Sequence, residues 1–258
     1  MIVSFRRKLS ITLLFSFIGL ASFAQLTSKL ELGAGIGTLI YQGDLSNSKW
    51  GSRYNLKSSF TGFGVYNINS MFSVRANLVL GSISGDDSHY PYPPYRQHRN
   101  LAFSTPITEF SALVEWYPLK GGNQSEHRLI PYVFVGTSLS FVNIDRNWSK
   151  FDTAYFAGTP AISGLAADTM HKLPHSVKVL PVGAGLRFAI TPQWSVFGEA
   201  MYRFTFFDYL DGFKYAANPN SNDAYYGITI GVRYRLIKDG SVACPSTSKI
   251  RHSGADTP

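Results

Sequence analysis

The segment 227-GITIGVRYRL-236 changes character at every second residue. One set of alternate residues is apolar: Ile228, Ile230, Val232, Tyr234 and Leu236. The other set is small or cationic: Gly227, Thr229, Gly231, Arg233 and Arg235. Successive side chains of a β-strand point to opposite faces of the sheet, so the segment predicts a strand with one apolar face and one polar face. The fold depends on what each face contacts.

Eight segments, including this one, show the same alternation, and each is on the order of ten residues long. They start near Leu30, Ser58, Phe72, Ile107, Leu129, Val177, Trp194 and Tyr225. About ten residues is the length that a tilted strand needs to cross the hydrocarbon core of a bilayer. Even-numbered residues form the apolar face in most segments. The second and fifth segments, FTGFGVY and YVFVGTSLSF, are apolar on both faces, so their register is not predicted.

The connections between these segments alternate in length. Long connections follow the first, third, fifth and seventh segments, and short ones follow the second, fourth and sixth. Long loops on one side and short turns on the other are typical of outer-membrane barrels. The prediction is therefore an all-β fold, an eight-stranded antiparallel transmembrane outer-membrane β-barrel over residues 25–236, with periplasmic termini and extracellular long loops.

A soluble β-sandwich or lipocalin-like barrel is the alternative, with its apolar face inward and its charged face outward. Glycine on the polar face and the alternating loop lengths favour the membrane fold. So do aromatic residues at the segment ends, where interfacial girdles are expected. These are Tyr66, Phe72, Trp116, Tyr117, Trp194, Phe206, Tyr226 and Tyr234.

Residues 1–24 are predicted to be a cleaved signal peptide. Arg6, Arg7 and Lys8 precede the apolar run LSITLLFSFIGLA, which is short for a membrane anchor, and Ser22 and Ala24 precede the expected cut. Removing this peptide lowers the net charge from +8 to +5, which does not indicate nucleic-acid binding. A lone cysteine excludes an internal disulfide framework. Residues 237–258 lack periodicity and are predicted to be a flexible periplasmic tail.

The polar faces predict a filled lumen. The interior of an eight-stranded barrel is just wide enough for its side chains to fill it, and buried charges persist when they are paired. We therefore predict an ion-paired plug rather than a pore. Its members are Glu31, Arg75, Glu109, Glu115, Arg187, Glu199, Arg203, Arg233 and Arg235.

Three further stretches carry expectations. Pro181 lies inside a strand pattern and predicts a bulge or bend. The stretch PYPPYRQH, residues 91–98, predicts extended backbone that could dock a partner or remain a solvent loop. The histidines of HKLPH and the carboxylates of DYLDG lack the further ligands of a metal site. We therefore predict no catalytic, cofactor-binding or metal-binding residues and no cofactor.

Residues Thr229, Gly231, Tyr234 and Leu236 resemble the C-terminal recognition signal of outer-membrane barrels, although about twenty residues follow them. This resemblance implies the barrel-assembly machinery as a partner. The stretches LELGAGIGTLIYQGDL, YRFTFFDYLDG and YYGITIGVRYRL resemble the PorG-like barrels of Bacteroidota. Those proteins belong to the type IX secretion machinery, which is also associated with gliding motility.

The second resemblance implies a non-enzymatic barrel that contacts outer-membrane lipids and lipopolysaccharide and docks the periplasmic ring of the secretion apparatus. It singles out the loop residues Tyr41, Gly43, Asp44, Asp208, Tyr209 and Asp211, for which loop bracing is the simplest role. Gly212 and Phe213 depart from the family pattern. A generic small barrel for adhesion or envelope integrity remains an alternative, and an enzyme acting on lipid A is a third.

Overall fold

The computed structural model describes residues 29–46, 48, 51–119, 129–217 and 223–236. The predicted signal peptide and tail lie outside these residues. Eight long strands and one short strand follow in chain order: β1 Leu30–Gln42, β2 Leu56–Asn67, β3 Phe72–Asp86, β4 Ala102–Trp116, β5 Leu129–Val142, β6 Asp145–Asn147, β7 Ser176–Ala189, β8 Trp194–Phe207 and β9 Asp223–Arg235. Each predicted segment falls within one long strand.

The eight long strands close on themselves. Each pairs antiparallel with its neighbours, β1 pairs with both β2 and β9, and the β3–β4 pairing completes the ring. The short β6 pairs only with the Ala102–Ser104 end of β4. A closed ring leaves no long strand with a free edge, so backbone groups can be satisfied within a membrane. The predicted eight-stranded antiparallel barrel is confirmed.

The two faces of the strands decide against the soluble alternative. Large apolar side chains point outward, and Phe60, Ile230 and Ile36 are 66%, 61% and 57% exposed. Charged side chains point inward, and Arg75 and Arg233 are fully buried. An apolar exterior around a charged interior suits hydrocarbon as the surrounding solvent.

The structure also supplies the two registers that the sequence left open. In β2 the odd-numbered residues, including Phe63 and Val65, point into the lumen. In β5 the even-numbered residues, including Ile130, Tyr132 and Phe134, point inward. Both strands therefore place aromatic rings inside the barrel, which explains why they look apolar on both faces.

No bulge forms at Pro181, where the sequence predicted a bulge or a bend. Pro181 stays in register with Arg203 of β8, and the β5–β7 register is unchanged on both sides of it, although pairs opposite it are missing from the ladder. Proline lacks an N–H group and so deletes ladder hydrogen bonds without inserting a residue. The register shift occurs instead between Phe204 and Phe207, where Phe206 adopts a φ of 53°.

The long connections gather at one end of the barrel, termed the loop end, and the short ones at the other, termed the turn end. The loop end carries 3-10 turns at Arg53–Asn55 and Asp87–His89 and two helices, α1 (Tyr95–Arg99) and α2 (Pro160–Met170). The expected extended backbone is therefore wrong for residues 95–98. Within the described part of the chain, no helix is long and apolar enough to cross a membrane.

Candidate functional site

The nine charged residues predicted for the lumen form three groups along the barrel axis. The turn-end group is Glu31, Arg187 and Arg235; the central group is Arg75, Glu115, Glu199 and Arg233; the loop-side group is Glu109 and Arg203. Strand alternation places them on the inner face because each lies on the polar parity of its strand. All are buried except Arg235, whose side chain is 33% exposed.

In the turn-end group, one carboxylate binds two guanidinium groups. Glu31 accepts hydrogen bonds from Arg187 Nη1 at 2.8 Å and from Arg235 Nε and Nη2, each at 3.0 Å. Asn67 Nδ2 also donates to Glu31, and Arg187 Nε donates to Ser195 Oγ. Glu31 therefore keeps a buried cationic partner even when Arg235 is absent.

The central group spans the full width of the barrel. Arg75 on β3 donates to both carboxylate oxygens of Glu199 on β8, at 2.8 and 2.9 Å. Arg233 on β9 donates to both oxygens of Glu115 on β4, each at 3.1 Å. In the ring of eight strands, β3 lies opposite β8 and β4 lies opposite β9. Two bidentate ion pairs therefore cross the lumen, and a 3.4 Å contact between Arg75 and Glu115 joins them.

Aromatic rings surround this crossing. The Arg75 guanidinium lies 3.7 Å from the ring centre of Phe63, and the Arg233 guanidinium lies 4.8 Å from that of Tyr132 and 5.2 Å from that of Phe197. A guanidinium group can stack its flat face on an aromatic ring while its edge donates hydrogen bonds. The rings thus cover the cations and exclude water from the central group.

Tyr117 belongs to the central group and not to an interfacial girdle, which corrects the sequence prediction. It is fully buried; its hydroxyl donates to Glu115 at 2.5 Å and accepts from Arg233 Nη1 at 3.0 Å. The adjacent Trp116 points outward and is 41% exposed. Tyr117 is two residues from Glu115, so strand alternation could have predicted that both side chains point inward. Tyr132, which donates to Glu199 at 3.0 Å, could not be placed without the register of β5.

The loop-side group gathers several donors on one carboxylate. Glu109 accepts from Arg203 Nε at 2.9 and 3.1 Å and from the Tyr225 hydroxyl at 2.6 Å. Ser140 and Ser111 hydroxyls donate at 3.2 and 3.1 Å. Five residues from β4, β5, β8 and β9 therefore share a network, and the sequence had predicted only its two charged members, Glu109 and Arg203, as lumen residues.

At the loop end, the structure brings Tyr41 and Asp211 together with Asp223. The Tyr41 hydroxyl oxygen lies 2.8 Å from Asp211 Oδ2 and 2.5 Å from Asp223 Oδ1, and all three side chains are buried. One hydroxyl carries one proton, so two such contacts imply a second proton on a carboxyl group. Burial and the adjacent Asp223 carboxylate raise the pKa of Asp211 well above its usual value. A Cβ atom at Gly43 would lie 2.1 Å from the Tyr41 hydroxyl oxygen, so this packing requires glycine.

A second buried carboxylate organises the β8–β9 loop. Asp168, at the C-terminal end of α2, accepts from the Tyr209 hydroxyl at 3.2 Å and from the backbone N–H groups of residues 214–216. The predicted loop residue Tyr209 thus has a bracing contact. Asp208 forms an ion pair with Lys214 at 3.3 Å. Asp168 itself was not predicted, since nothing local in the sequence marks its partners.

A third carboxylate joins the first two long loops. Asp87 is fully buried and binds Arg96 Nη1 at 3.2 Å and Arg99 Nε at 2.6 Å. Arg96 Nη2 also donates to the carbonyl groups of Asp44 and Ser46. Residues three apart on a helix lie on the same side, so α1 places both Arg96 and Arg99 beside Asp87.

The residues of the predicted assembly signal lie on both faces of β9. Thr229 and Gly231 face the lumen side, and a Cβ atom at Gly231 would lie 2.2 Å from the Ala34 carbonyl oxygen. Tyr234 packs against Trp194 with ring centres 4.8 Å apart, and the Leu236 N–H donates to the Leu30 carbonyl at 3.0 Å. These contacts anchor the end of β9 to both of its neighbours.

The described residues contain no group of three His, Cys, Asp or Glu side chains arranged to hold a metal ion. The charged groups of the site bind one another across the lumen and at the loop end.

Comparisons with solved structures find small outer-membrane barrels. Neisserial surface protein A aligns with a TM-score of 0.47 and 15% identity over 81% of this chain and 97% of that chain. OprG from Pseudomonas aeruginosa gives a TM-score of 0.41 and 10% identity over 80% and 94%. The outer membrane enzyme PagL aligns with a TM-score of 0.36 and 10% identity over 80% of this chain and 99% of that chain.

No curated protein matches the chain in sequence. A family model described as outer membrane protein beta-barrel domain matches residues 10–235. The match covers most of the chain, including all eight long strands. The chain therefore belongs to the outer membrane protein β-barrel family and is a protein of the outer membrane.

Proposed function

We propose that this protein is a non-enzymatic, non-conducting barrel that acts through its two ends and not through its lumen. The observation that supports this proposal is the pair of bidentate ion pairs between opposite strands, Arg75 with Glu199 and Arg233 with Glu115. Side chains that meet across the full width of the barrel occupy the path that a solute would need. The proposed orientation places the loop end outside the cell and the turn end in the periplasm.

Conductance in planar bilayers tests the closed lumen. We expect the wild-type protein to give no stepwise current under conditions in which a general porin does. Discrete current steps from the wild-type protein would contradict the proposal, because they would show that the central group does not close the lumen.

We further propose that the barrel is a component of type IX protein secretion that docks the periplasmic ring at the outer membrane. This assignment rests on the resemblance of the first strand, the stretch through DYLDG and the last strand to PorG-like barrels. Ring contact would use the periplasmic turns and residues 237–258. The loop residues Tyr41, Gly43, Asp44, Asp208, Tyr209 and Asp211 would brace the outer loops and make no ring contact.

A pull-down with chains lacking residues 238–258 tests this assignment. We expect less recovery of periplasmic ring proteins, with unchanged membrane insertion shown by the heat-dependent shift of the folded barrel on a gel. Unchanged ring recovery would exclude a role for the tail.

A generic role in adhesion or envelope integrity is the second candidate. The bracing of the loop end by Asp87 and Asp168 favours it, since a preorganised outer surface suits recognition. Failure of the intact protein to recover any ring protein, together with reduced surface attachment of a deletion strain, would favour this candidate. Mass spectrometry of lipid A from the same strain tests the non-enzymatic assignment, and we expect no change.

A further inference from the structure

A polar groove with a volume of about 310 Å³ lies at the loop end, on the barrel wall formed by the outer ends of β3 and β4. The 3-10 turn Arg53–Asn55 and the Asp87–His89 turn border it on one side, and β6 borders it on the other. The residues that line it include Tyr54, Asn55, Lys57, Asp86, His89 and Asp145. None of them belongs to the lumen groups or to the three carboxylate centres of the loop end.

One buried polar group at the groove lacks a partner. Asn55 is 1% exposed, and its Oδ1 accepts from the Tyr90 hydroxyl at 3.3 Å. Among the described residues, no atom accepts a hydrogen bond from Asn55 Nδ2. Leaving a buried donor unpaired has an unfavourable free-energy cost. An acceptor supplied by a ligand in the groove would remove that cost.

The groove also provides a flat ring surface. The rings of Tyr54 and His89 are stacked, with their centres 5.2 Å apart and their planes 3° from parallel. Tyr54 is 51% exposed, so this pair presents ring surface to a ligand. Aromatic surface beside a few placed polar groups is the usual composition of a small-ligand site.

The polar groups include both donors and acceptors. Lys57 and Asn55 Nδ2 donate, whereas the carboxylates of Asp86 and Asp145 accept. Two carboxylates disfavour a free phosphate or sulfate, and the polar lining disfavours an acyl chain. A pyranose ring carries hydroxyl groups that both donate and accept, and one of its faces consists of C–H groups that can pack on an aromatic ring.

We propose that this groove binds a hexose unit of a saccharide. Asn55 Nδ2 donates to a sugar oxygen, Asp86 and Asp145 accept from hydroxyl groups, and the stacked Tyr54 and His89 rings contact the C–H face. The sugar can come from the headgroup of a glycolipid in the outer leaflet or from a free glycan. This inference does not depend on the type IX assignment.

Calorimetric titration of the full chain in detergent micelles tests the proposal. The probes are intact lipopolysaccharide, its lipid-free core oligosaccharide, and the methyl glycosides of glucose, galactose and mannose. We expect at least one probe to bind, with affinity lowered about tenfold or more in Asn55→Leu and in Tyr54→Ala. Binding of lipid-free sugar indicates recognition independent of the lipid, whereas binding of intact lipopolysaccharide alone identifies a membrane headgroup as the source.

Tyr155→Ala is the matched control. Tyr155 is 50% exposed at the same end of the barrel and stacks on His98 with ring centres 3.8 Å apart, but it does not line the groove. Its removal should leave binding unchanged. The proposal is overturned if no probe binds, if Tyr155→Ala and Tyr54→Ala weaken binding equally, or if inorganic phosphate competes fully. Should Asn55→Leu lose the heat-dependent gel shift, the surface variant Tyr54→Ala decides alone.

Discussion

Arg233 and Arg235 lie two residues apart on the inner face of β9, yet their removal should have very different costs. Arg233 is fully buried and makes two bonds to Glu115 and one to Tyr117. Without it, the one ion pair that Glu115 keeps among the described residues is the longer 3.4 Å contact with Arg75. Breaking a buried pair by removing one partner costs about 3–5 kcal/mol. We therefore expect Arg233→Ala to lower the free energy of unfolding by about that amount.

Arg235→Ala is the internal control for this prediction. The Arg235 side chain is 33% exposed, and Glu31 retains Arg187 at 2.8 Å when Arg235 is removed. Partly exposed pairs contribute about 0–1 kcal/mol, so the expected loss is below about 1 kcal/mol.

Urea unfolding of the barrel in lipid vesicles, followed by the heat-dependent gel shift, measures both variants. With a slope of about 2 kcal/mol per molar, Arg233→Ala should lower the midpoint by about 2 M and Arg235→Ala by less than about 0.5 M. Equal shifts, or a loss below about 1 kcal/mol for Arg233→Ala at an unchanged slope, would refute the ion-paired plug as a source of stability.

Three further predictions concern the loop end and the lipid face. The pKa of Asp211 is raised in the folded state, so its contribution to the stability of the loop end is present at acid pH and is lost as the pH rises above the ordinary pKa of aspartate. The resistance of the wild-type loops to trypsin should therefore fall with rising pH. Asp211→Asn should flatten this pH dependence. Asp168→Ala leaves three backbone N–H groups without their acceptor, so chymotrypsin should cleave after Tyr209 or Tyr215 while the barrel stays folded. Ile230→Arg places a charge on the lipid face and should cost about 2–4 kcal/mol in urea unfolding.

Each of these predictions has a contrary outcome. A protease profile that is equally steep in Asp211→Asn and wild type would remove Asp211 as the titrating group. Unchanged cleavage in Asp168→Ala would show that the β8–β9 loop is held by other contacts. If Ile230→Arg unfolds at the same urea concentration as Ile230→Ala, the outward face of β9 does not meet hydrocarbon.

The sequence by itself determined the eight long strands, the inner and outer faces of six of them, and the side of the barrel on which the long loops lie. These properties follow from period-two alternation and connection length, which are local features of the sequence and do not depend on which strands pair. The inner face of β9 could therefore be read directly from GITIGVRYRL, and so could the inward direction of Glu31, Glu109, Glu115 and Glu199.

Only the tertiary structure decided which of these groups meet. Arg75 reaches Glu199 across the lumen because the registers of all eight strands together determine the position of each residue along the barrel axis. No single segment of the sequence determines those registers. The sequence likewise did not predict the loop-end partners of Tyr41 and Asp168, because those partners are distant in sequence. In β2 and β5 apolar residues occupy both faces, so alternation carries no signal there, and closure of the barrel selects the face that points inward.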